Sequence, residues 1–581
     1  MSSQAPSSMN GDAVLHRRKP QKNNVGMNGG ASTSAHLEQQ HTRQERQHAT
    51  LRGVDVLFLL LVRAVPSFNP VCASTYTFDK EVDIEQLREA LHHQCRVFPK
   101  YRQRLAVGNK LFRPPYYEDD PNWSLDRHLE IVYLPDPAGP KELNEFVATY
   151  IEKRWDESLP LWSVAYIPNY RDGSNARSAM VSRGHHTQAD GQGFILSALY
   201  VTSYGKDLEK MMAEGTAKLH DARRGMLPPE EVSPYLRHLR PLWDMAIFKP
   251  LLGLLLFAAY WITEIGDCAV RLLWTFLHFF YMLYYLSNTL WRIDTVVPAR
   301  PGARKVVFAV SKPLKLSDVK TMQRAFSGST PGKSQSGTLG HDHVTVNDVL
   351  CAIMSDVISL AIHRKKEPDL LYWVKAAAEL VFPMPIAFFI PISLRDPGQW
   401  DMRNLSTGTV AYLTHLPQAR PTVKQIHKHI HKCKTSLNFS KRSYLPVWAF
   451  HLLQFLGRFP ILFYPIWSDG IFSRWPLEAI KEAVFGKILT SMPAILTNIP
   501  GPPESAELAG SRILRWTALP PQGAKGTVGI GMITYDGSVS VTVAVDKVPG
   551  YEDAADMICH DFEQRFKLYL TSAESTLDSG Q

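Results

Sequence analysis

The sequence predicts an α/β protein. Strand-like and helical patterns alternate along two long stretches, residues 51–243 and 294–581. An aromatic-rich apolar segment at 244–293 separates them. The chain's 581 residues are enough for two or more domains with their own cores. Residues 1–50 are polar, with Ser, Asn, Gln, His, Arg and Gly and no apolar period, and are expected to form a disordered tail.

Ordered structure is expected from Val54, where VDVLFLLLVRA suits a buried or membrane-contacting helix too short to span a bilayer. A strand leads into a helix on which Ile84, Leu87, Leu91 and Cys95 share a face; His92 and His93 of that helix are expected at the surface or half-buried. A turn into a strand follows near LDRHLEIVYLP, then a helix over about 141–155 and strands at LWSVAYIPNY and 176–183. GFILSALYVTSYGKDLEKMM reads as one helix. In the second stretch, ARKVVFAVSKPLKLSDVKTM reads as strand then helix, and a Gly/Ser-rich loop falls at 326–340. Thr345, with Asp348 three residues on, caps a helix over TVNDVLCAIMSDVISLAIH. Three prolines in ELVFPMPIAFFIPISLR argue against a membrane helix and for extended or loop structure. Ile426, Ile430, Cys433 and Leu437 form one face of a basic helix against membrane or solvent. The aromatic stretch 445–467 is broken by Pro446, Pro460 and Pro465, and KGTVGIGMITYDGSVSVTVAVD reads as strands before a last helix near 551–570.

The net charge of +9 is scattered, with no finger spacing, phosphate loop or basic dimerising helix, so a nucleic-acid partner is not expected and an anionic membrane surface is. The six cysteines, at 72, 95, 268, 351, 433 and 559, form no CxxC pair and suit a reducing compartment. His427, His429 and His431 are not a convincing metal trio, because only the first and last share a helical face and their neighbours are lysines; no metal is expected. From Leu272 to Trp291, 20 residues carry no charge, which reaches spanning length; the run Pro250–Thr263 has 14. A single crossing would put the two stretches on opposite sides of the bilayer; if both contribute to one site, as the resemblance given below implies, the number of crossings is two or none. A shallow hairpin turning at Glu264–Arg271 is the favoured form.

The stretch VSRGHHTQADGQG, 181–193, concentrates chemistry. His185 and His186 fall at a strand end before a helix, where α/β scaffolds hold reactive groups. Gly184 and Gly191 bracket them and allow close backbone approach to a ligand. A hydroxyl becomes a useful nucleophile once a base takes its proton, and histidine suits that role near neutral pH. The base must keep one ring nitrogen bare, so its tautomer has to be fixed. No nucleophile elbow is present, which favours direct attack on a bound thioester over an acyl-enzyme. With no adenylating motif, the donor expected is acyl-CoA rather than a free acid with ATP, and no permanently bound cofactor is expected.

Read together, these segments resemble the wax ester synthase/diacylglycerol acyltransferase family, within the superfamily that carries HHxxxDG. Here that motif is His185-His186-Thr187-Gln188-Ala189-Asp190-Gly191. Blocks in family order support it: PKYRQRL at 99–105, WSLDRHL at 123–129, LPLWSV at 159–164, TVNDVL at 345–350, PISLR at 391–395, TNIPGPPESAELAG at 497–510 and YDGSVSVTVAVD at 535–546. The resemblance covers about residues 50–570 and implies two similar mixed-sheet lobes around a central tunnel, with 244–293 as a hydrophobic helical insert. It implies His186 as the catalytic base, His185 as support for the loop, and Asp190-Gly191 as structural parts of the motif. Arg395 is implied as an ionic partner of Asp190 from the second lobe. Asn404 matches the family's asparagine after the SLR block, with Arg403 where the family usually has glycine. The activity implied is acyl transfer from acyl-CoA to a lipid alcohol, giving wax ester from a long-chain alcohol or triacylglycerol from diacylglycerol. It is expected at a membrane surface, endoplasmic reticulum or lipid droplet, with both lobes facing the cytosol. Three alternatives remain at this stage: a condensation-type enzyme, a different acceptor such as a sterol, polyketide-like alcohol or amine, and a catalytically silent membrane scaffold.

Overall fold

A computed structural model describes residues 50–579 apart from 52, 65–67, 107–114, 225, 233, 292–294, 300–303, 328–342, 365–373, 375–384, 400, 417, 460–491 and 524. The predicted tail, the Gly/Ser loop from 328 and the aromatic stretch from 460 lie outside the described residues.

Two mixed sheets carry the architecture. The strands are β1 (Val71–Phe78), β2 (Gln103–Ala106), β3 (Tyr116–Asp119), β4 (Leu129–Ile131), β5 (Trp162–Ile167), β6 (Ser178–His185), β7 (Val306–Val310), β8 (Leu314–Lys315), β9 (Ile386–Ser393), β10 (Ser406–Leu413), β11 (Ala494–Pro500), β12 (Glu507–Leu508), β13 (Ser511–Leu519), β14 (Val528–Tyr535) and β15 (Ser538–Asp546). The first sheet runs β12-β13-β1-β6-β5-β4 and the second β10-β9-β11-β14-β15-β7, with β8 also on β15; β2 and β3 form a separate ribbon.

Period-two alternation sorts the first sheet's two faces. Tyr76, Phe78, Trp162, Val164, Tyr166 and Met180 bury one face with the helices Ile84–Val97 and Gly191–Tyr200. Val71, Ala73, Ala165, Ile167, Ala179 and Val181 bury the other against the helix Pro140–Glu152. Leu87, Leu91 and Cys95 point inward, while His92 and His93 are half-buried against the rings of Trp123 and Tyr200. In the second sheet the strands pack on Val346–His363, Val423–Arg442 and Ala554–Ser579. Thr345 and Asp348 form the capping box at the start of the first of these.

The sheets do not divide the chain at residue 294. Strand β13, from the far C-terminal part, pairs antiparallel with β1, setting Ala73 opposite Leu519 and Tyr76 opposite Trp516. Val306 and Phe308 of β7 in turn share the core of the Pro140–Glu152 helix. Where β13 presses on the second sheet, a β-carbon at Gly531 would stand 1.8 Å from the carbonyl oxygen of Ala518, so only glycine fits.

Three local expectations change. The run from Gly191 is two helices, Gly191–Tyr200 and Gly205–Arg223, because the chain turns at Thr202-Ser203-Tyr204. The basic helix does not simply face membrane or solvent: its apolar face joins the second core and buries His429 and Lys434 as well. Its Lys424, Lys428, Lys432 and Lys441 stay outside.

The third change is the insert. Lys249–Trp291 is one continuous helix of 43 residues, with no turn at Glu264–Arg271. Nothing there breaks a helix, and Asp267 and Arg271 pair one turn apart on it. Thr275, His278 and Tyr281 dock its second half: Thr275 Oγ1 accepts from the Tyr444 amide at 2.7 Å, and the rings of His278 and Tyr281 lie against Phe439. Leu252 and Leu256 dock the first half beside Trp243. The other faces leave large apolar side chains in the open, Leu254, Ile262, Ile265, Leu273, Phe276 and Phe280 among them.

Candidate active site

Strand β6 ends at His185, and the chain turns through Thr187–Ala189 into the helix that starts at Gly191. His185 pairs with Val71 in the sheet register and is buried. Its Nδ1 lies 2.8 Å from the Thr187 hydroxyl, which accepts from the Tyr117 hydroxyl at 2.9 Å. Burial first, and the neighbouring His186 second, push the His185 pKa down to about 3, so this imidazole is neutral at physiological pH. It braces the loop from beneath.

His186 is only half-buried. Its backbone N–H donates to the Pro70 carbonyl at 2.7 Å, and Phe58 stacks on its ring at 4.1 Å between centroids, 26° from parallel. Its Nδ1 lies 2.8 Å from Oδ1 of Asn404, 218 positions away. Asn404 uses its amide nitrogen on the His186 carbonyl and on Asp55, so its oxygen faces the ring. An amide oxygen only accepts, so Nδ1 carries the proton and Nε2 is left bare. Burial holds the His186 pKa below the usual histidine value, against the opposing pull of the Asp190 carboxylate and the Asn404 contact. The ring therefore favours its neutral form, with an open nitrogen.

Asp190 caps the Gly191–Tyr200 helix, its Oδ1 accepting from the Gly193 amide at 2.8 Å. Its carboxylate also reaches the second lobe. Oδ1 pairs with the Arg395 guanidinium at 2.8 Å, and Oδ2 accepts from the Leu405 amide at 3.0 Å. Arg395 further donates to the carbonyls of Asp401 at 2.8 Å and Arg403 at 2.7 Å. Arg395 and Asn404 both belong to the loop joining β9 to β10, so one buried ion pair sets the position of the loop whose Asn404 contacts His186. Arg403 has no left-handed backbone, so glycine is not required there; its side chain pairs with Asp401.

The glycines are placed differently from a simple ligand-approach reading. A β-carbon at Gly184 would stand 2.4 Å from the Phe194 ring, so that space belongs to packing. At Gly191 a β-carbon would meet only Ile499, at 3.9 Å. Gly193 is the constrained one, with Ala189 and Arg395 both at 3.0 Å. Ile499 brings the NIPGP block beside the motif, and Asn498 donates to Asn347 of the TVNDVL block at 3.1 Å.

Reasoning from the sequence missed Asp55, Phe58, Thr187 and Tyr117. Asp55 carries a local signal only as an acid in a helix's first turn. Among the described residues no three His, Cys, Asp or Glu side chains gather as metal ligands. His429 turns inward to Asp356 at 3.3 Å, and the rings of His427 and His431 lie together on the outside.

Two domain models of one family match this chain. The wax ester synthase/diacylglycerol acyltransferase catalytic domain matches residues 51–207 and the C-terminal domain of the same family matches residues 411–569. Together they cover more than half of the sequence. The chain belongs to the wax ester synthase/diacylglycerol acyltransferase family. Its relatives include a Mycobacterium tuberculosis protein named as a diacylglycerol O-acyltransferase, 31% identical over 109 residues, 19% of this chain and 23% of the relative. Another from the same organism is 28% identical over 147 residues, 24% of this chain and 28% of the relative. The matched segments thus span about a quarter of those relatives' length. Among solved structures, the Marinobacter aquaeolei VT8 wax ester synthase/diacylglycerol acyltransferase overlays 90% of this chain and 100% of its own, at 15% identity and a TM-score of 0.49. A starter condensation domain of rhizomide synthetase in complex with C8-CoA overlays 92% of this chain and 97% of its own, at 12% identity and a TM-score of 0.46.

Proposed function

We propose that this family member is an acyl-CoA-dependent O-acyltransferase, with His186 as general base and a lipid alcohol as acceptor. The observation that carries the reading is the bond from His186 Nδ1 to Asn404 Oδ1, which leaves Nε2 bare at neutral pH. In the reaction, Nε2 takes the proton of the acceptor hydroxyl as its oxygen attacks the thioester carbonyl. The tetrahedral intermediate collapses by breaking the C–S bond. The imidazolium returns its proton to the departing sulfur, giving ester and free CoA thiol. Asp190 and Arg395 lock the helix start and the β9–β10 loop together.

The acceptor is apolar, and so is the surface beside the site. The outer faces of the Lys249–Trp291 helix and of Leu445–Leu456, with Trp448, Leu452 and Phe455 exposed, present apolar side chains to solvent. Two helices are apolar and long enough to cross a membrane; 67% of the apolar window in Val346–His363 is buried as core, against 11% in Lys249–Tyr284. The long helix runs about 64 Å, roughly twice a hydrocarbon core. Both of its halves are docked on the catalytic body, so a crossing orientation would draw the polar flank of that body into hydrocarbon. We therefore place the helix flat in the interface of a cytosol-facing membrane, endoplasmic reticulum or lipid droplet, in place of a hairpin.

Purified full-length protein with radiolabelled palmitoyl-CoA, assayed against hexadecanol, diacylglycerol, a sterol and an amine, tests the reading. Ester formed with an alcohol, and lost in His186→Ala, supports it. Transfer only to the amine, or none to any acceptor, overturns it.

A further inference from the structure

Asn404, the partner of the proposed base, is itself held from a third direction. Its amide nitrogen donates to Oδ1 of Asp55, 349 positions away, in the first turn of the helix Val54–Ala64. Together with the donation from the same nitrogen to the His186 carbonyl, this contact decides something the His186–Asn404 bond alone cannot, and Asp55 is the side chain among the two acceptors. A side-chain amide offers an oxygen that accepts and a nitrogen that donates, and a half-turn exchanges them. Turned the other way, Asn404 would aim its nitrogen at His186 Nδ1. That ring nitrogen would then have to be the bare one, and Nε2 would carry the proton. Such a tautomer cannot take a proton from an alcohol at Nε2. An ionised carboxylate accepts and never donates, so Asp55 repels the turned amide and retains the other.

We propose that Asp55 is a positioning residue for acyl transfer: acting through Asn404, it selects the tautomer of His186 that leaves Nε2 free. This rests on His186 being the base. The same helix contributes a second contact one turn on, where Phe58 stacks on the His186 ring, so one helical turn orients both the amide and the imidazole. Burial raises the Asp55 pKa to about 6, opposed by the Lys100 charge, the Asn404 bond and the Arg403 charge and reinforced by the Asp190 charge. With a pKa of about 6 the carboxylate is mostly ionised at pH 7 and above. Lys100 is held in place by donation to the Gln188 carbonyl at 2.7 Å, on the loop of the histidine pair.

A double-mutant cycle distinguishes this role from a merely structural one. Full-length Asp55→Leu, Asn404→Ala and the double variant are assayed with palmitoyl-CoA and the best alcohol acceptor, with His186→Ala alongside. Loss of the correct histidine tautomer costs up to roughly ten-thousandfold in a hydrolase triad. Here Asp55→Leu is expected to lower kcat by about tenfold or more with KM changed by less than about threefold. In the Asn404→Ala background the same substitution is expected to cost nothing further. Asp55→Asn, which keeps an acceptor oxygen, is expected to recover part of the loss, and it replaces the leucine variant in the cycle should that one fail to fold. Spectra of protein with ¹⁵N-labelled histidine should report a bare Nε2 in the wild type and mixed tautomers in Asp55→Leu. An Asp55 effect that multiplies unchanged in the Asn404→Ala background, or a kcat that does not move, overturns the role. An active His186→Ala would instead overturn the base on which it rests; an inactive His186→Ala beside a fully active Asp55→Leu would remove the Asp55 role alone.

Discussion

Arg395 reaches from the second lobe to within 2.8 Å of Asp190 in the first, and both side chains are buried. The pair joins the start of the motif helix to the loop bearing Asn404. Asp190 has the Arg395 guanidinium and backbone amides as partners, and Arg395 pairs in addition with the Asp401 carboxylate at 3.8 Å on its own loop, so the geometry of the site depends on the lobes staying together.

Removing one half of that pair should therefore be costly. Arg395→Ala strands a buried carboxylate, for which losses of about 3–5 kcal/mol are typical. Denaturant unfolding should show that loss, and any residual activity should fall with it. Stability within about 0.5 kcal/mol of wild type, the range of neutral surface changes, would mean the lobes are held some other way.

His186→Ala should abolish most turnover while the far-ultraviolet circular dichroism stays the same. General-base loss is worth roughly a hundredfold to ten-thousandfold. Retention of about half the wild-type rate would leave no place for general-base catalysis at this residue.

The pH profile of kcat/KM carries a sign. The base works when neutral, so activity is present above the His186 pKa and falls as pH drops through it. Burial depresses that pKa, so the acid limb should lie below the usual histidine value of about 6.5. A limb at higher pH would contradict the depressed pKa of this ring.

His185 makes a separate prediction about stability. Its folded-state pKa is pushed down to about 3, so between that value and about 6.5 the unfolded chain binds a proton that the native state does not. Stability is then complete above the unfolded value and is lost as pH falls, by up to roughly 1.4 kcal/mol per pH unit from this group. Unfolding curves at pH 7 and pH 5 should diverge less in His185→Asn than in the wild type. Equal divergence would show that His185 does not resist protonation.

The proposed flat placement of the Lys249–Trp291 helix predicts loss of lipid binding without loss of fold. Leu273→Glu, Phe276→Glu and Phe280→Glu together place three charges on its open face. Flotation with anionic vesicles should drop sharply, while turnover on a detergent-solubilised acceptor stays near wild type. Unchanged flotation would move the contact to another surface.

Much of the fold was legible because it is local. The capping box at Thr345 and Asp348, the buried face of Leu87, Leu91 and Cys95, and the hairpin ending at Asp546 each depend on neighbours a few positions apart. The motif's placement between β6 and a helix was legible for the same reason. Local pattern failed where a partner decides. The insert contains Glu264, Gly266, Asp267 and Arg271, a reasonable place to turn, yet docking at both ends keeps the helix unbroken. Strand β13 reads as any alternating strand, and only its pairing with β1 assigns it to the first lobe's sheet.

By itself the sequence determined the alternation of strands and helices and put two histidines and an aspartate at a strand-to-helix turn, because these follow from periodicity and from residue types within one short stretch. Which imidazole nitrogen is bare could not be settled there. That depends on the orientation of an amide at 404 and a carboxylate at 55, brought to residue 186 only when three distant segments pack together. A hydrogen bond has a direction, a sequence separation has none, and the tautomer follows the direction.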